Sequence, residues 1–339
     1  VTLALIRGRR GALVGALLLA LGLVLPFVPG VYIVFAIDLV CFALVAVSFD
    51  MLLGFTGLLS FGHALFWGGA GYVATILIAN GVTSFALALL ASVAYACVLS
   101  LVVGALAVRR SGIFFSMITL AIAEIQFFVV FQGSDVTGGE NGLSIPTRGD
   151  LFGLPLGNDF VFYYIALAAL VAGTLFAIRV VTSPFGAVLA AMRENENRAK
   201  SIGYDTDRFK LIAFVMSGTL AGLAGALYAI GNRFAGTDGV DWHTSGAIVI
   251  MTILGGIGTI YGPIVGAALY QSLDFFVSKT PIGDKTNLVM GLIFAVVILA
   301  ARRGIVGEIL HLAYARRPRL VEDEDVPDLL VPDVSGKAV

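Results

Sequence analysis

Residues 183–210 read SPFGAVLAAMRENENRAKSIGYDTDRFK, a hydrophilic, helix-forming stretch with charge of both signs, standing between two long apolar runs. Within it Phe185, Val188, Leu189, Met192, Ala199 and Ile202 fall mostly at i, i+3, i+4 and i+7, whereas Arg193, Glu194, Glu196, Arg198 and Lys200 turn elsewhere. Ser183-Pro184 suits the start of a helix and Gly203 suits its end. One or two short amphipathic helices lying beneath a membrane are expected here. Periodicity leaves two roles open, an anchor for an interfacial loop or a surface acted on by a partner.

The rest of the chain explains why this stretch is exceptional. With 59% hydrophobic and 13% charged residues and a mean hydropathy of +0.98, it cannot cover a water-soluble surface, which needs roughly 25% charge or more. Apolar runs of about 20 residues match helices crossing a hydrocarbon core of about 30 Å, and the ten-residue alternation of a β-barrel is missing. An all-α membrane protein follows. Windows of that length place spans near 11–28, 31–53, 57–79, 84–107, 112–132, 160–180, 210–230, 244–258, 261–278 and 286–302, about ten transmembrane helices. An even number puts both termini on one side. Assigning the N-terminus, Arg109, Arg110, the stretch from Arg179 to Lys210 and the tail after Arg302 to the cytosol places 17 of the 21 Lys and Arg residues there. Arg148, Arg233, Lys279 and Lys285 fall on the other side, an asymmetry that matches the positive-inside rule.

Residues 1–305 then form a transmembrane domain with a cytosolic loop at 181–210 and an extracytoplasmic loop at 133–159 rich in turn residues. Residues 306–339, with Glu322 to Asp325, form a solvated and partly disordered cytosolic tail. Arg7, Arg9 and Arg10 before an apolar run imitate a signal peptide, but no small-x-small cleavage site follows, so a retained first span is expected. The missing initiator methionine suggests that the chain begins within, or after processing of, a longer one.

Gly218 and Gly222, extended by Gly225, and Gly258, Gly262 and Gly266 are spaced to let helix backbones approach, or to mark a hinge. Gly255-Gly256-Ile257-Gly258 and Gly262-Pro263 favour an interruption, and Gly54 to Gly57 repeats that concentration. Spans two to five and seven to ten run in opposite senses, as an inverted repeat requires.

Ionisable groups at membrane depth cost about 2.5 to 3.5 kcal/mol and stand out for that reason. They are Asp38, Asp50, His63, Glu124 with Gln126, and Asp274. Asp50 and Asp274 lie near span ends, where water or a helix-end amide satisfies them. Asp38 is deeper and suits a structural or assembly role, while Glu124 fits pore lining or an interhelix hydrogen bond equally. His63 fits an interhelix bond or a cavity wall. Cys41 and Cys97 lie in apolar runs and suggest neither a disulfide scaffold nor a metal site. GGIGTIYG lacks the lysine and hydroxyl of a phosphate loop, and no HExxH, CxxC pair or GxSxG occurs, so no catalytic, metal or cofactor site of its own is expected.

Glu196–Gly203, ENRAKSIG, resembles the EAA-type coupling loop of ABC importer permeases, with its first letters poorly kept. LLSFGHALFWGGAGY at 58–72, ITLAIAEI at 118–125, TGGENGLSIP at 137–146, the 183–203 stretch, AGLAGALYA at 221–229 and LGGIGTIYGPIVGA at 254–267 follow in one order. Over roughly residues 30–305 the chain closely resembles the LivM-type permeases of branched-chain amino-acid ABC importers. Asp38 and Asp50 depart from that pattern. The resemblance implies a type II-like permease in a bacterial cytoplasmic membrane, paired with a LivH-type permease. It also implies two ATPase subunits that bind ATP and magnesium, an extracytoplasmic solute-binding protein, surrounding lipid, and no nucleic acid. Phe185, Met192, Arg193, Glu194, Arg198 and Gly203 become candidates for coupling to the ATPases. Ser60, His63, Glu124 and Gln126 become candidates for lining the pathway. The same architecture for urea, short amides or aromatic acids, and an ion-coupled carrier, are the alternatives.

Overall fold

The computed structural model describes residues 9–151 and 154–279, together with 288–289, 291–292, 294–295 and 304–308. The expected tenth span at 286–302 and the acidic tail lie largely outside these residues. Among the described residues the chain is mostly helical: α1 (Arg9–Val24), α2 (Ile33–Thr56), α3 (His63–Ala79), α4 (Phe85–Ala107), α5 (Ile113–Gln132) and α6 (Asp159–Val181). Then come α7 (Pro184–Glu194), α8 (Glu196–Ser201), α9 (Thr206–Asn232), α10 (Trp242–Gly255) and α11 (Tyr261–Ser278). Helices α2, α4, α5, α6 and α9 are long and apolar enough to cross a membrane. They are apolar around their whole circumference, which suits lipid on one side and protein on the other.

Helix α9 is the axis, packed against α2, α3 and α4. Its small residues set the spacing. A Cβ on Gly225 would sit 1.9 Å from the Trp67 carbonyl oxygen, and one on Gly222 would sit 2.2 Å from the Ala96 Cβ. At Gly218 the Ser100 Cβ would be 2.6 Å away. These three glycines therefore serve close packing, and α9 runs unbroken through them. The central window of α2 is 67% buried, whereas those of α4 and α5 are each 28% buried. Leu90, Val98 and Leu101 on α4 and Phe114, Met117 and Phe128 on α5 are exposed, an apolar rim that water does not tolerate at this density.

Three boundaries differ from the sequence expectation for physical reasons. Gly57 ends α2 in the left-handed region at φ 75°, so residues 57–62 are not helical and the third span begins at His63. The span expected at 244–258 is a helix of only 14 residues, about 21 Å, short of a core of about 30 Å. Gly258, expected to start a glycine stripe along a helix, lies instead in the break between α10 and α11. Only Gly262 and Gly266 are helical, packing onto α10 where a Cβ on Gly266 would meet the Met251 carbonyl oxygen at 1.9 Å.

The loop at 133–158 is ordered by pairings across the sequence. Strand β1 (Leu143–Ser144) pairs antiparallel with β4 (Phe234–Ala235), and β2 (Asp150–Leu151) with β3 (Leu154–Pro155). Arg148, 3% exposed, donates from Nε and Nη2 to the Gly231 carbonyl and pairs with Asp159 at 2.6 Å. It fastens the loop to the start of α6 and the end of α9.

Candidate functional site

At the end of the bundle opposite this loop, α7 and α8 lie across the helices. Ser183 Oγ accepts from the Gly186 amide, Pro184 supplies the first helical residue, and Asn195 breaks the helix in an extended conformation. The Asn195 side chain then accepts from the Arg198 amide and starts α8. The apolar face found from periodicity is turned inward. Leu189 and Met192 are buried, and Phe185 stacks on Phe209 with ring centroids 5.2 Å apart. Burial of each such side chain contributes about 1.5–3 kcal/mol. A second attachment is ionic. Lys210, 4% exposed, reaches Glu196 Oε1 at 2.6 Å, and Lys200 reaches the same oxygen at 2.9 Å. Burial raises the Glu196 carboxyl, but the hydrogen bonds and charges of Lys210 and Lys200 outweigh it and hold the group below its ordinary value. Glu194 and Arg198 are exposed, and Ile202 and Tyr204 add an apolar patch at 68% and 43% exposure. Gly203 turns the chain at φ 95° with open space around it.

Arg193 does something different. Its guanidinium donates to the carbonyl of Gly54, one of the last carbonyls of α2, which lack a partner within the helix. Its stem crosses Gly57, where a Cβ would lie 3.2 Å from Arg193 Cγ. One turn earlier on α2, Asp50 is completely buried. Its Oδ1 accepts from the Gly258 amide at 2.6 Å and its Oδ2 from the Ile260 amide at 3.0 Å. These are the amides of the α10–α11 break. Ile260 has φ 60° and ψ −49°, and the Tyr261 amide donates to the Thr259 carbonyl at 2.7 Å, closing a γ-turn. Positive φ in a β-branched residue costs about 1–3 kcal/mol, so a partner has to hold this turn. Asp50 is that partner.

In the middle of the bundle, His63 is fully buried and its Nε2 lies 2.9 Å from Ser217 Oγ. The Ser217 hydroxyl spends its proton on the Ser48 carbonyl at 2.6 Å, so His63 must donate from Nε2. Nδ1 is left without a partner among the described residues. Ser60 is buried and accepts from the Gly62 amide. Gln126 donates to the Leu65 carbonyl at 3.0 Å and accepts from Tyr95 at 3.2 Å. Glu124 keeps one buried oxygen, Oε1, unpartnered. Of the four residues singled out as pathway lining, His63 and Gln126 are held by bonds between helices, Ser60 by a bond within its own linker, and Glu124 Oε1 by none among the described residues.

A cavity of about 390 Å³ opens at the Asn232 end of α9, within the range of about 300–1,000 Å³ usual for small-molecule sites. Phe42, Trp67 and Tyr228 form one wall, their ring centroids 4.8 to 5.4 Å apart, and Asn232, Asp238 and Thr244 supply the polar rim. Gly68, Gly71, Gly225 and Gly236 bring backbone close to it. Asp38 stands one turn above Phe42 and accepts from Asn232 at 2.6 Å, which supplies the partner that the sequence did not. Aromatic faces beside one acidic residue, Asp238, suit an apolar solute that carries an ammonium group. Trp67 and Tyr228 fall in the segments at 58–72 and 221–229, but none of the three aromatic residues was singled out as a cavity wall, since their meeting depends on packing between three helices. The one available signal was Phe42 four residues from Asp38, on the same helix face. No group of three or more metal-ligating side chains occurs among the described residues.

A family model described as branched-chain amino acid transport system, permease component, matches residues 31–301. The high-affinity branched-chain amino acid transport system permease protein LivM of Escherichia coli is 27% identical over 251 residues, 67% of this chain and 59% of that protein. The probable branched-chain amino acid transport permease protein LivM of Methanocaldococcus jannaschii is 30% identical over 194 residues, 54% of each chain. The autoinducer 2 import system permease protein LsrC of Yersinia pseudotuberculosis is 28% identical over 200 residues, 53% of this chain and 54% of that one. The match thus spans a little over half the length of these curated relatives. No solved structure matches the chain.

Proposed function

The chain belongs to the branched-chain amino acid transport system permease family, and from that premise we propose that it is a transmembrane permease subunit of an ATP-driven importer for branched-chain amino acids. The family match across residues 31–301 carries this reading. Energy comes from separate ATPase subunits holding ATP and magnesium, and solute from an extracytoplasmic binding protein. A LivH-type permease completes the pathway. Helices α7 and α8 face the cytosol and dock on an ATPase subunit through Glu194, Arg198 and the exposed Ile202 and Tyr204. Their packed inner face and free outer face support that assignment. The loop at 133–158 and the cavity face the opposite side, with residues 1–305 as the permease unit of ten crossings and both termini in the cytosol. The two breaks, after α2 and after α10, meet where Gly54 packs on Gly258; the inverted repeat of spans two to five and seven to ten belongs to the same proposal.

Solute passes the aromatic cavity, where Asp238 favours an amine-bearing solute over an aromatic acid. In vesicles holding the assembled transporter and its binding protein, Phe42→Ala raises the KM for leucine uptake about tenfold while leaving ATP hydrolysis running. Binding of leucine, isoleucine, valine, urea and benzoate to the cognate binding protein decides the solute. Preference for urea or benzoate overturns the amino-acid assignment and leaves the importer architecture standing.

A further inference from the structure

We infer that α10 is a rod connecting the ATPase-facing loop to the solute cavity, with Arg193 and Asp50 as the joint at its inner end; this rests on the reading of α7 and α8 as the coupling element. Three observations meet in it. Arg193, in the last turn of α7, holds the Gly54 carbonyl and lies beside Gly258, whose Cβ would be 3.6 Å from its Nη1. Asp50 grips the break through the Gly258 and Ile260 amides on either side of Thr259. A shift of α7 therefore pulls on α2 and on the turn together.

The turn continues directly from the C-terminal end of α10, whose first turn is built into the cavity. Thr244 lines the cavity, and its hydroxyl donates to the Asp238 carbonyl at 2.7 Å. Ser245, next in sequence, accepts from the Ala64 amide at 2.9 Å. A helix of 14 residues has no hinge of its own between these ends, since Gly246 lies next to Ser245 within regular helix. Displacement at Gly255 reaches Thr244 as displacement. Helix α9 is locked by Gly218, Gly222 and Gly225 against α3 and α4 and is the fixed frame, whereas the close contacts of Gly262 and Gly266 bind α10 to α11, so that those two move together. The strained turn at Ile260 fits a joint with two arrangements, because its present one exists only while Asp50 holds it. Arg193 and Asp50 are positioning residues, and neither needs to touch solute or ATP.

The test uses the complete assembly, this chain with its partner permease, ATPase subunits and binding protein, in vesicles where ATP hydrolysis and uptake of radiolabelled leucine are read together. Arg193→Gln is expected to keep hydrolysis within about twofold of wild type while leucine taken up per ATP falls about tenfold, and Arg193→Lys, which can still donate to Gly54, recovers most of that ratio. Asp50→Asn is expected to act the same way. Where Asp50→Asn lowers the yield of assembled complex, adding Ile260→Gly relieves the positive-φ strain and restores assembly, yet the uptake ratio stays low. A purely structural role would scale both activities with the amount of complex and leave the ratio unchanged. That result for Arg193→Gln overturns the inference, as does recovery of the ratio in the Asp50→Asn, Ile260→Gly pair. A wild-type assembly without ATP-dependent leucine uptake overturns the transporter reading itself.

Discussion

Glu196 shows how one side chain sets a pH limit. Its carboxyl is held below the ordinary value of 4.5 by Lys210 and Lys200, so its contribution to stability is complete above that pH and fades as pH falls through the lowered value. Glu196→Gln leaves the buried Lys210 charge without a counter-charge and is expected to cost about 1–3 kcal/mol near pH 7. Thermal unfolding in detergent should show that deficit shrinking as pH falls below about 4.5, until the two proteins unfold together. A constant deficit across that range would refute the ionic tie. His63 gives a second residue-level expectation. Ser217→Ala removes the acceptor of the Nε2 proton and the donor to the Ser48 carbonyl in one step. It should destabilise by about 1–3 kcal/mol, and nitrogen NMR of labelled histidine in the wild type should report the Nε2-protonated tautomer. Asp50 was legible in part from sequence alone, because a carboxylate near a span end was expected to find a helix-end amide. Which amides those were, 208 and 210 positions away, no local pattern encodes.

At the scale of elements, glycines with the same name carry opposite expectations. Gly225→Val drives a side chain into the Trp67 backbone and should cost more than about 3 kcal/mol, seen as loss of a monodisperse peak on extraction. Gly246→Ala meets nothing within 4 Å and should gain up to about 1 kcal/mol of helix stability. Spans of apolar residues were readable because lipid demands length and hydrophobicity directly. Their ends were less so. The left-handed cap at Gly57 delays α3 to His63, and α9 begins at Thr206 because Asp205 caps it with a charged turn that a hydropathy window discards. Periodicity gave the amphipathic loop one or two short helices, and the fold has two, but it could not say that Arg193 bends back to α2 while Glu194 and Arg198 stay outside.

For the molecule as a whole, the charge asymmetry makes a topological prediction. A cysteine introduced as Ile202→Cys should react with an impermeant reagent only from the cytosolic side, and Glu140→Cys only from the other; the reverse pattern, or labelling of both from one side, refutes the orientation. The cavity was the least legible part, since it is assembled from α2, α3, α9 and the turn before α10, and proximity across such distances is a property of packing alone. The same nonlocality has a temporal side. Arg148 ties the outer loop to α9 by reaching Gly231, 83 positions later in the chain. At about 5–20 residues per second, a ribosome needs roughly 4–17 s to deliver that carbonyl. During those seconds the loop has its ties to Thr83 and Asp159 but lacks those to Gly231 and β4, and a protease on its side of the membrane meets it partly fastened. Nascent chains stalled before Gly231 should be cut between residues 133 and 158, and chains released beyond it should be protected.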